Sequence, residues 1–252
     1  MSEKLFIPCL RRRIVMQSSD HRAVAGLEDD FHHFIVTIEH DGHVVTDIGA
    51  QALRTPWTIC GDAAKMLPQF IGLKLSTAPD INPDLIDYHR HCTHQYDLAG
   101  LAIAQAVRGG TRQYDIEVED SETKIKTARL FRNGELYWEW QMNRSEFITP
   151  SRFAGLNLRS IGPWAKTNLD DDEREALMVL RRGFMISGGR HTPLDSLDDN
   201  ASAIFSGMKG ACYAYQADML GKAKRNKGTT HDFTDTPNKL LPELHPQPLL
   251  FR

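Results

Sequence analysis

The chain has 252 residues, of which 41% are hydrophobic and 25% are charged, a composition typical of a soluble globular protein that can bury a core. A formal net charge of −3 excludes an overall basic surface and disfavours non-specific nucleic-acid binding. No window approaches the roughly 18 apolar residues of a membrane helix, and the first residues lack the long apolar run of a signal peptide, so we expect a cytoplasmic protein.

The first part of the chain predicts a strand followed by a hairpin. Residues 10–16 are extended and apolar apart from three arginines at 11–13, which we expect at a solvated edge rather than against an anionic substrate. Residues 18–26 are small and polar, which is typical of a loop. Residues 31–53 alternate in polarity on both sides of Asp41-Gly42, and this pattern predicts a β-hairpin.

Two helical patterns follow the hairpin. A short one covers residues 62–70, with Cys60 just before it. The stronger one covers residues 93–107, where apolar side chains recur at helical spacing. Thr93 is the predicted N-cap of this helix, and Gly109 is the predicted stop.

The second half opens with strands. Residues 113–119 and 124–131 alternate in polarity, and Asn133-Gly134 is the strongest hairpin signal in the chain. In the strand that follows, Trp138 and Trp140 share one face. This aromatic wall belongs either to the core, which we favour, or to a substrate pocket.

Later elements are less regular. Residues 170–180 predict a helix, because acidic side chains favour a helix N-terminus, and Gly183 is expected to end it. A strand is predicted around Cys212, and a basic helix is predicted over 217–227.

Together these elements predict an α+β fold, in which antiparallel β-hairpins pack against a few helices. We expect two intimately packed halves. Residues 1–110 carry most of the histidines, and residues 111–252 carry the Trp-bearing hairpin. The proline-rich tail from residue 237 onward is expected to wrap the surface without forming an element.

Metal-capable side chains concentrate in the first half, which holds eight of the eleven histidines. Residues 91–94, His-Cys-Thr-His, place one thiol and two imidazoles at the start of the predicted helix. Cys60, Cys92 and His94, with His32 as a fourth group, offer the sulfur and nitrogen ligands of a single zinc or iron ion. The other interpretation is that the two cysteines are small buried hydrophobic residues.

Without a metal, the same residues support proton transfer. His32 and His94 are the candidate acid–base residues, because imidazole titrates near neutral pH. Asp29 or Asp30 is the candidate carboxylate that orients His32. Cys92 is a candidate nucleophile, since a helix N-terminus and neighbouring imidazoles favour the thiolate.

Three further residues are candidates for substrate binding. Arg54 suits a carboxylate or phosphate anchor, although a surface salt bridge is the alternative. Trp138 belongs to the aromatic wall, and Tyr213 lies in an unusual polar cluster near Cys212. No nucleotide-binding loop and no Gly-x-Ser-x-Gly motif occurs in the chain, so we expect no organic cofactor and no serine hydrolase of the common type.

Several motifs in order resemble an uncharacterised bacterial family, known as a domain of unknown function with a Cys-Thr-His signature. The motifs are Asp30 to His33, Pro56 to Cys60, Cys92-Thr93-His94, and Asp232 to Asp235. The resemblance spans roughly residues 10–240. It implies an association with genes for aromatic-acid and acyl-thioester breakdown, and it implies no particular reaction.

A looser similarity covers residues 31–107 and concerns iron–sulfur scaffold proteins. A hairpin, a cysteine before a helix and a His-Cys pair that opens an Ala-rich helix are arranged as in those scaffolds. This similarity implies that Cys60, Cys92 and His94 lie close together. The chain departs from the scaffold pattern because the third conventional cysteine is missing.

These observations predict a catabolic enzyme that acts on a small aromatic or carboxylated intermediate by lyase or isomerase chemistry. The expected partner is a small-molecule substrate, with no nucleic acid and no membrane, and a homo-oligomer is left open. The alternative is a metal-binding or scaffold protein. The expected cofactor is accordingly none, or a single zinc or iron ion.

Overall fold

A computed structural model describes residues 7–79, 81, 85–197 and 206–248. Eight strands and three α-helices are found in these ranges. The strands are β1 (Cys9–Ser19), β2 (Arg22–Asp29), β3 (His33–His40), β4 (Val45–Arg54), β5 (Gly110–Glu119), β6 (Ile125–Arg132), β7 (Glu135–Asn143) and β8 (Glu146–Thr149). The helices are α1 (Thr93–Arg108), α2 (Gly162–Asn168) and α3 (Asp171–Ile186). None of these helices has the length and apolar character needed to cross a bilayer.

All eight strands form one antiparallel sheet, in the order β4-β3-β2-β1-β5-β6-β7-β8. The fold is α+β, as predicted. β1 and β5 pair along their length, from Cys9 opposite Glu119 to Ser18 opposite Gly110. The two halves expected to meet near residue 110 therefore share one continuous sheet.

Helices cover one face of this sheet, and the tail covers the central strands on the other face. α1 packs on β1, β2 and β3, while α3 packs on β5 and β6. On the opposite face, Leu241 and Leu244 of the tail bury Val15. The prediction that the tail forms no element is wrong, because residues 237–239 and 242–244 are short 3-10 turns.

The hairpin over 31–53 and the helix over 93–107 are confirmed as β3–β4 and α1. The loop predicted over 18–26 is wrong, because β2 begins at Arg22. The small residues of β2 admit the tail at close range, and a Cβ atom on Gly26 would overlap the Leu244 side chain. Small side chains at this position reflect close packing rather than a loop.

Gly183 lies inside α3 and does not end it. A Cβ atom on Gly183 would lie 2.7 Å from Cγ2 of Ile116, so the glycine allows the helix to approach β5. The strand around Cys212 and the helix over 217–227 are also wrong, since this region consists of turns, one short 3-10 segment and an isolated β-bridge from Arg225 to Trp57. The N-cap of α1 is Cys92 rather than Thr93, and its side chain makes no capping hydrogen bond.

The three arginines of β1 are buried, so the solvated edge predicted for them is wrong. Each pairs with a carboxylate on a neighbouring strand: Arg11 with Glu117, Arg12 with Asp29, and Arg13 with Asp115. A central strand has no solvated edge, and a buried guanidinium is tolerated only when it is paired. Arg12 places its charge beneath α1 and α3, on the side of the sheet where the cavity described next is found.

Candidate active site

A cavity of about 380 Å³ lies between the corner after β2, the start of α1 and the end of α3. Its wall is mainly aromatic, aliphatic and sulfur-bearing, and includes Phe31, Phe34, Trp57, Met185, Ile186 and Leu194. Ligand pockets usually enclose about 300 to 1,000 Å³, so this cavity is sized for one small molecule.

Asp29 and His32 form a hydrogen-bonded pair at the corner between β2 and β3. Oδ1 of Asp29 accepts the backbone N–H groups of Phe31 (2.8 Å) and His32 (2.9 Å), and it lies 2.9 Å from Nδ1 of the His32 ring. Oδ2 accepts Nη1 of Arg12 at 2.6 Å. An ionised carboxylate only accepts, so Nδ1 of His32 carries the proton and Nε2 is the ring nitrogen left for a ligand.

The charge on Asp29 is retained in spite of its burial. Burial raises the pKa of this carboxyl group, but His32, Arg12 and the donated hydrogen bonds outweigh burial and hold the pKa below its usual range. A carboxylate that stays ionised is the group needed to hold an imidazole in one tautomer and orientation.

α1 places His94 against His32, with 3.9 Å between the ring centroids and 33° between the ring planes. Burial, together with nearby His32 and Arg12, lowers the pKa of His94 well below its ordinary value, so the ring is neutral at pH 7. Nε2 of His94 is buried and has no hydrogen-bond partner. One metal-capable atom from each of Asp29, His32 and His94 lies within 4.8 Å of the other two.

Because Nε2 of His94 lacks a partner, His94→Leu is expected to raise the free energy of unfolding by about 1 kcal/mol. Leucine fills a similar volume and removes the buried polar atom. Urea unfolding measures the change, and His43→Leu, at an exposed turn position, is the matched control with no expected gain. A loss of several kcal/mol in His94→Leu would show that the imidazole makes a stabilising contact.

Asp30 was the other candidate partner of His32, and the structure places it elsewhere. Its carboxylate pairs with Arg190 and accepts the backbone N–H of Phe233 at 3.2 Å. Burial raises the pKa of Asp30 to about 7, while Arg190 acts in the opposite direction. The carboxylate that orients His32 is therefore Asp29, and Asp30 ties the corner to the segment near Phe233.

Cys60 and Cys92 both line the cavity. Burial raises the pKa of Cys92 to about 12 and that of Cys60 well above its usual value. The thiolate predicted at Cys92 is therefore not expected at neutral pH, because burial outweighs the helix N-terminus. Among the described residues, the predicted ligand set of Cys60, Cys92 and His94 does not come together within 4.8 Å, as Asp29, His32 and His94 do.

The three predicted substrate-binding residues do not line the cavity. Arg54 donates to the backbone carbonyls of Asp29 (2.5 Å) and Asp30 (2.8 Å), so it braces the corner that carries His32. Trp138 packs in an aromatic cluster on the other half of the sheet. Tyr213 is buried beside the cavity wall.

Other wall residues were not predicted from the sequence. Trp57 donates from Nε1 to the Tyr215 hydroxyl at 3.1 Å, and both side chains line the cavity with Arg182 and Arg225. Trp57 lies in the Pro56-to-Cys60 motif, so that motif was a usable signal. Arg182 has the pattern of an ordinary surface charge on an amphipathic helix, and nothing local distinguishes it.

No protein-family model matches the chain, and a search of the curated proteins finds no match. The resemblances to the Cys-Thr-His family and to iron–sulfur scaffolds therefore remain predictions.

Proposed function

We propose that the protein is a cytoplasmic enzyme of aromatic-compound catabolism that moves a proton on a small, largely apolar substrate, with His32 as the general acid–base. The observation that carries the proposal is the Asp29–His32 pair at the wall of a largely apolar cavity. Lyase or isomerase chemistry needs such a base and needs no organic cofactor.

Asp29 supports this role by orientation. Both of its oxygens are engaged, by two backbone N–H groups and by Arg12, so the carboxylate cannot rotate away from His32. A fixed imidazole holds Nε2 in one orientation toward the substrate. Positioned acid–base groups increase the reaction rate by about 10²- to 10⁴-fold. The apolar wall strengthens charge interactions inside the cavity, because it lowers the local dielectric constant.

In the proposed reaction, Nε2 of His32 removes a proton from a carbon next to a carbonyl group, and the electron pair of the broken C–H bond moves into the carbonyl as an enolate. An isomerase returns the proton to a different carbon. A lyase instead expels a leaving group from the adjacent carbon, and His32 gives it the proton. His94 is neutral, lines the same cavity and lies against the His32 ring, so it adds no competing charge beside the base.

Hydrogen exchange with solvent tests the proton-transfer step without knowledge of the complete reaction. A panel of aryl keto acids and aryl ketones is incubated with the protein in D₂O, and deuterium at the carbon next to the carbonyl is followed by NMR. We expect exchange above the protein-free rate for at least one compound. No protein-dependent exchange across the panel would contradict the proposal.

A single zinc or iron ion held by His32 and His94 is the second candidate function. It is favoured by the unpartnered Nε2 of His94 and by the 3.9 Å between the ring centroids of His32 and His94. Asp29 would then orient His32 from behind, as carboxylates commonly do for metal-bound histidines. Cys60 and Cys92 fit less well, because among the described residues their thiols do not come within 4.8 Å of a third metal-capable atom, as Asp29, His32 and His94 do.

Metal analysis separates the two candidates. Stoichiometric zinc or iron in the purified chain, retained in Cys60→Ser and absent from His94→Leu, would support the metal site. A metal-free chain that still catalyses exchange would exclude it.

A further inference from the structure

We infer that the substrate carries a carboxylate, and that the guanidinium of Arg182 binds it within the cavity. This inference rests on the proposed function, since it names the substrate class of the same cavity. It is based on the two arginines that line the cavity. The hydrogen-bond donors of Arg225 are occupied by other residues, whereas Arg182 has a donor nitrogen available.

The described residues that line the cavity include two arginines, Arg182 and Arg225, and no aspartate or glutamate. The rest of the wall is mainly apolar, so few polar groups compete for a ligand charge. Both arginines are paired, Arg182 with Asp97 and Arg225 with Asp195, but these carboxylates do not line the cavity, so a ligand meets guanidinium groups and no acidic side chain. The favoured ligand is therefore an anion with an apolar body.

The donors of Arg225 are already occupied. Nε and Nη2 donate to Asp195 at 3.2 and 2.9 Å, and Nη1 donates to the carbonyl of Pro56 at 2.9 Å. Nη2 also donates to the hydroxyl of Thr230 at 2.5 Å. Arg225 therefore has a structural role in closing the wall.

Arg182 still has a hydrogen-bond donor available for a ligand. Its Nε and Nη2 donate to the two oxygens of Asp97 at 2.8 and 3.3 Å, which fixes the plane of the guanidinium. No described residue accepts a hydrogen bond from Nη1 of Arg182. A guanidinium held on one edge and free at one terminal nitrogen is suited to a carboxylate oxygen.

Arg182 also lies close enough to the imidazoles to serve the same substrate. It lines the same cavity of about 380 Å³ as His32 and His94. A carboxylate at Arg182 would place the neighbouring carbons of a small molecule toward His32. This arrangement favours a carbonyl compound with a carboxylate at one end and an aromatic or aliphatic body.

A matched pair of ligands tests the inference: 4-phenyl-2-oxobutanoate, which has the carboxylate, and 4-phenylbutan-2-one, which has a methyl group in its place. Binding is measured by calorimetry and exchange by NMR in D₂O. We expect the wild-type protein to bind the acid about 10- to 100-fold more tightly than the ketone, the range of one charge-assisted hydrogen bond. Arg182→Gln should remove this preference for the acid over the ketone, and Arg182→Lys should restore part of it.

Arg181→Gln is the matched control, since Arg181 is the preceding residue of α3 and does not line the cavity. Equal binding of acid and ketone by the wild-type protein, or no binding of either, would overturn the inference, and this comparison needs no variant to fold. Acid binding that is lost in Arg182→Gln, without exchange of either compound, would support the inference while the proposed proton transfer fails. Exchange of both compounds at rates insensitive to Arg182→Gln would support the proton transfer and overturn the anchor.

Discussion

Replacement of His32 by glutamine is expected to reduce protein-dependent deuterium exchange by about 10²- to 10⁴-fold, the contribution of a positioned acid–base group. Glutamine keeps a polar side chain of similar size, but it cannot take up a proton at neutral pH. The ring nitrogen proposed to take up the proton is lost, while the rest of the cavity wall, including Arg182, remains. The rate is measured by NMR at saturating ligand, so that weaker binding is not mistaken for slower proton transfer.

The control for His32→Gln is His43→Gln, because His43 is exposed at the turn between β3 and β4. This variant should exchange at the wild-type rate. The His32→Gln protein must be folded and bind ligand for this test. If it then catalyses deuterium exchange at more than about a tenth of the wild-type rate, another group is the base. His94 would then be the next residue to replace.

Asp29→Asn is expected to lower the free energy of unfolding by about 3 to 5 kcal/mol, the cost of removing one partner of a buried ion pair. Arg12 is about 1% exposed and has its salt bridge with this carboxylate, so its charge would be left buried without compensation. Asparagine can still accept the two backbone N–H groups through its oxygen. Its amide nitrogen would then face the guanidinium, donor against donor.

Urea unfolding measures this loss, and Asp20→Asn in the exposed turn before β2 is the control. The double variant Asp29→Asn with Arg12→Met should recover part of the loss, because it removes the uncompensated charge as well. A loss below about 1 kcal/mol in Asp29→Asn would contradict the ion-pair argument.

The contribution of Asp29 also depends on pH. The folded-state pKa of this carboxyl group lies below the unfolded-state value of about 3.9, so the folded protein binds the proton less tightly than the unfolded chain. The stabilisation is fully present above that value and is lost as the pH falls through the folded-state pKa. The difference between wild type and Asp29→Asn should therefore be larger at pH 7 than below pH 4.

Local patterns in the sequence determined the strands and helices whose own residues show a clear periodicity or turn motif. The hairpin of β3 and β4 was predictable because alternation in polarity and Asp41-Gly42 specify both strands and the turn. Helix α1 was predictable because apolar side chains recur at its own period. His32 and His94 were identifiable as acid–base candidates from their chemistry alone. The choice between Asp29 and Asp30 was not, since adjacent residues at a corner point in different directions.

Only the tertiary structure decided which charged groups and thiols are buried, and which residues they contact. Arg12 finds Asp29 through the register of β1 on β2, and Arg182 reaches the cavity wall through the packing of α3 beside α1. The pKa of Cys92 is governed by burial, although its position at a helix start favours a thiolate. These properties depend on residues far apart in the chain, so strand register and helix packing determine the electrostatics of the site. Periodicity along the chain determines only the strands and helices on which the site residues lie.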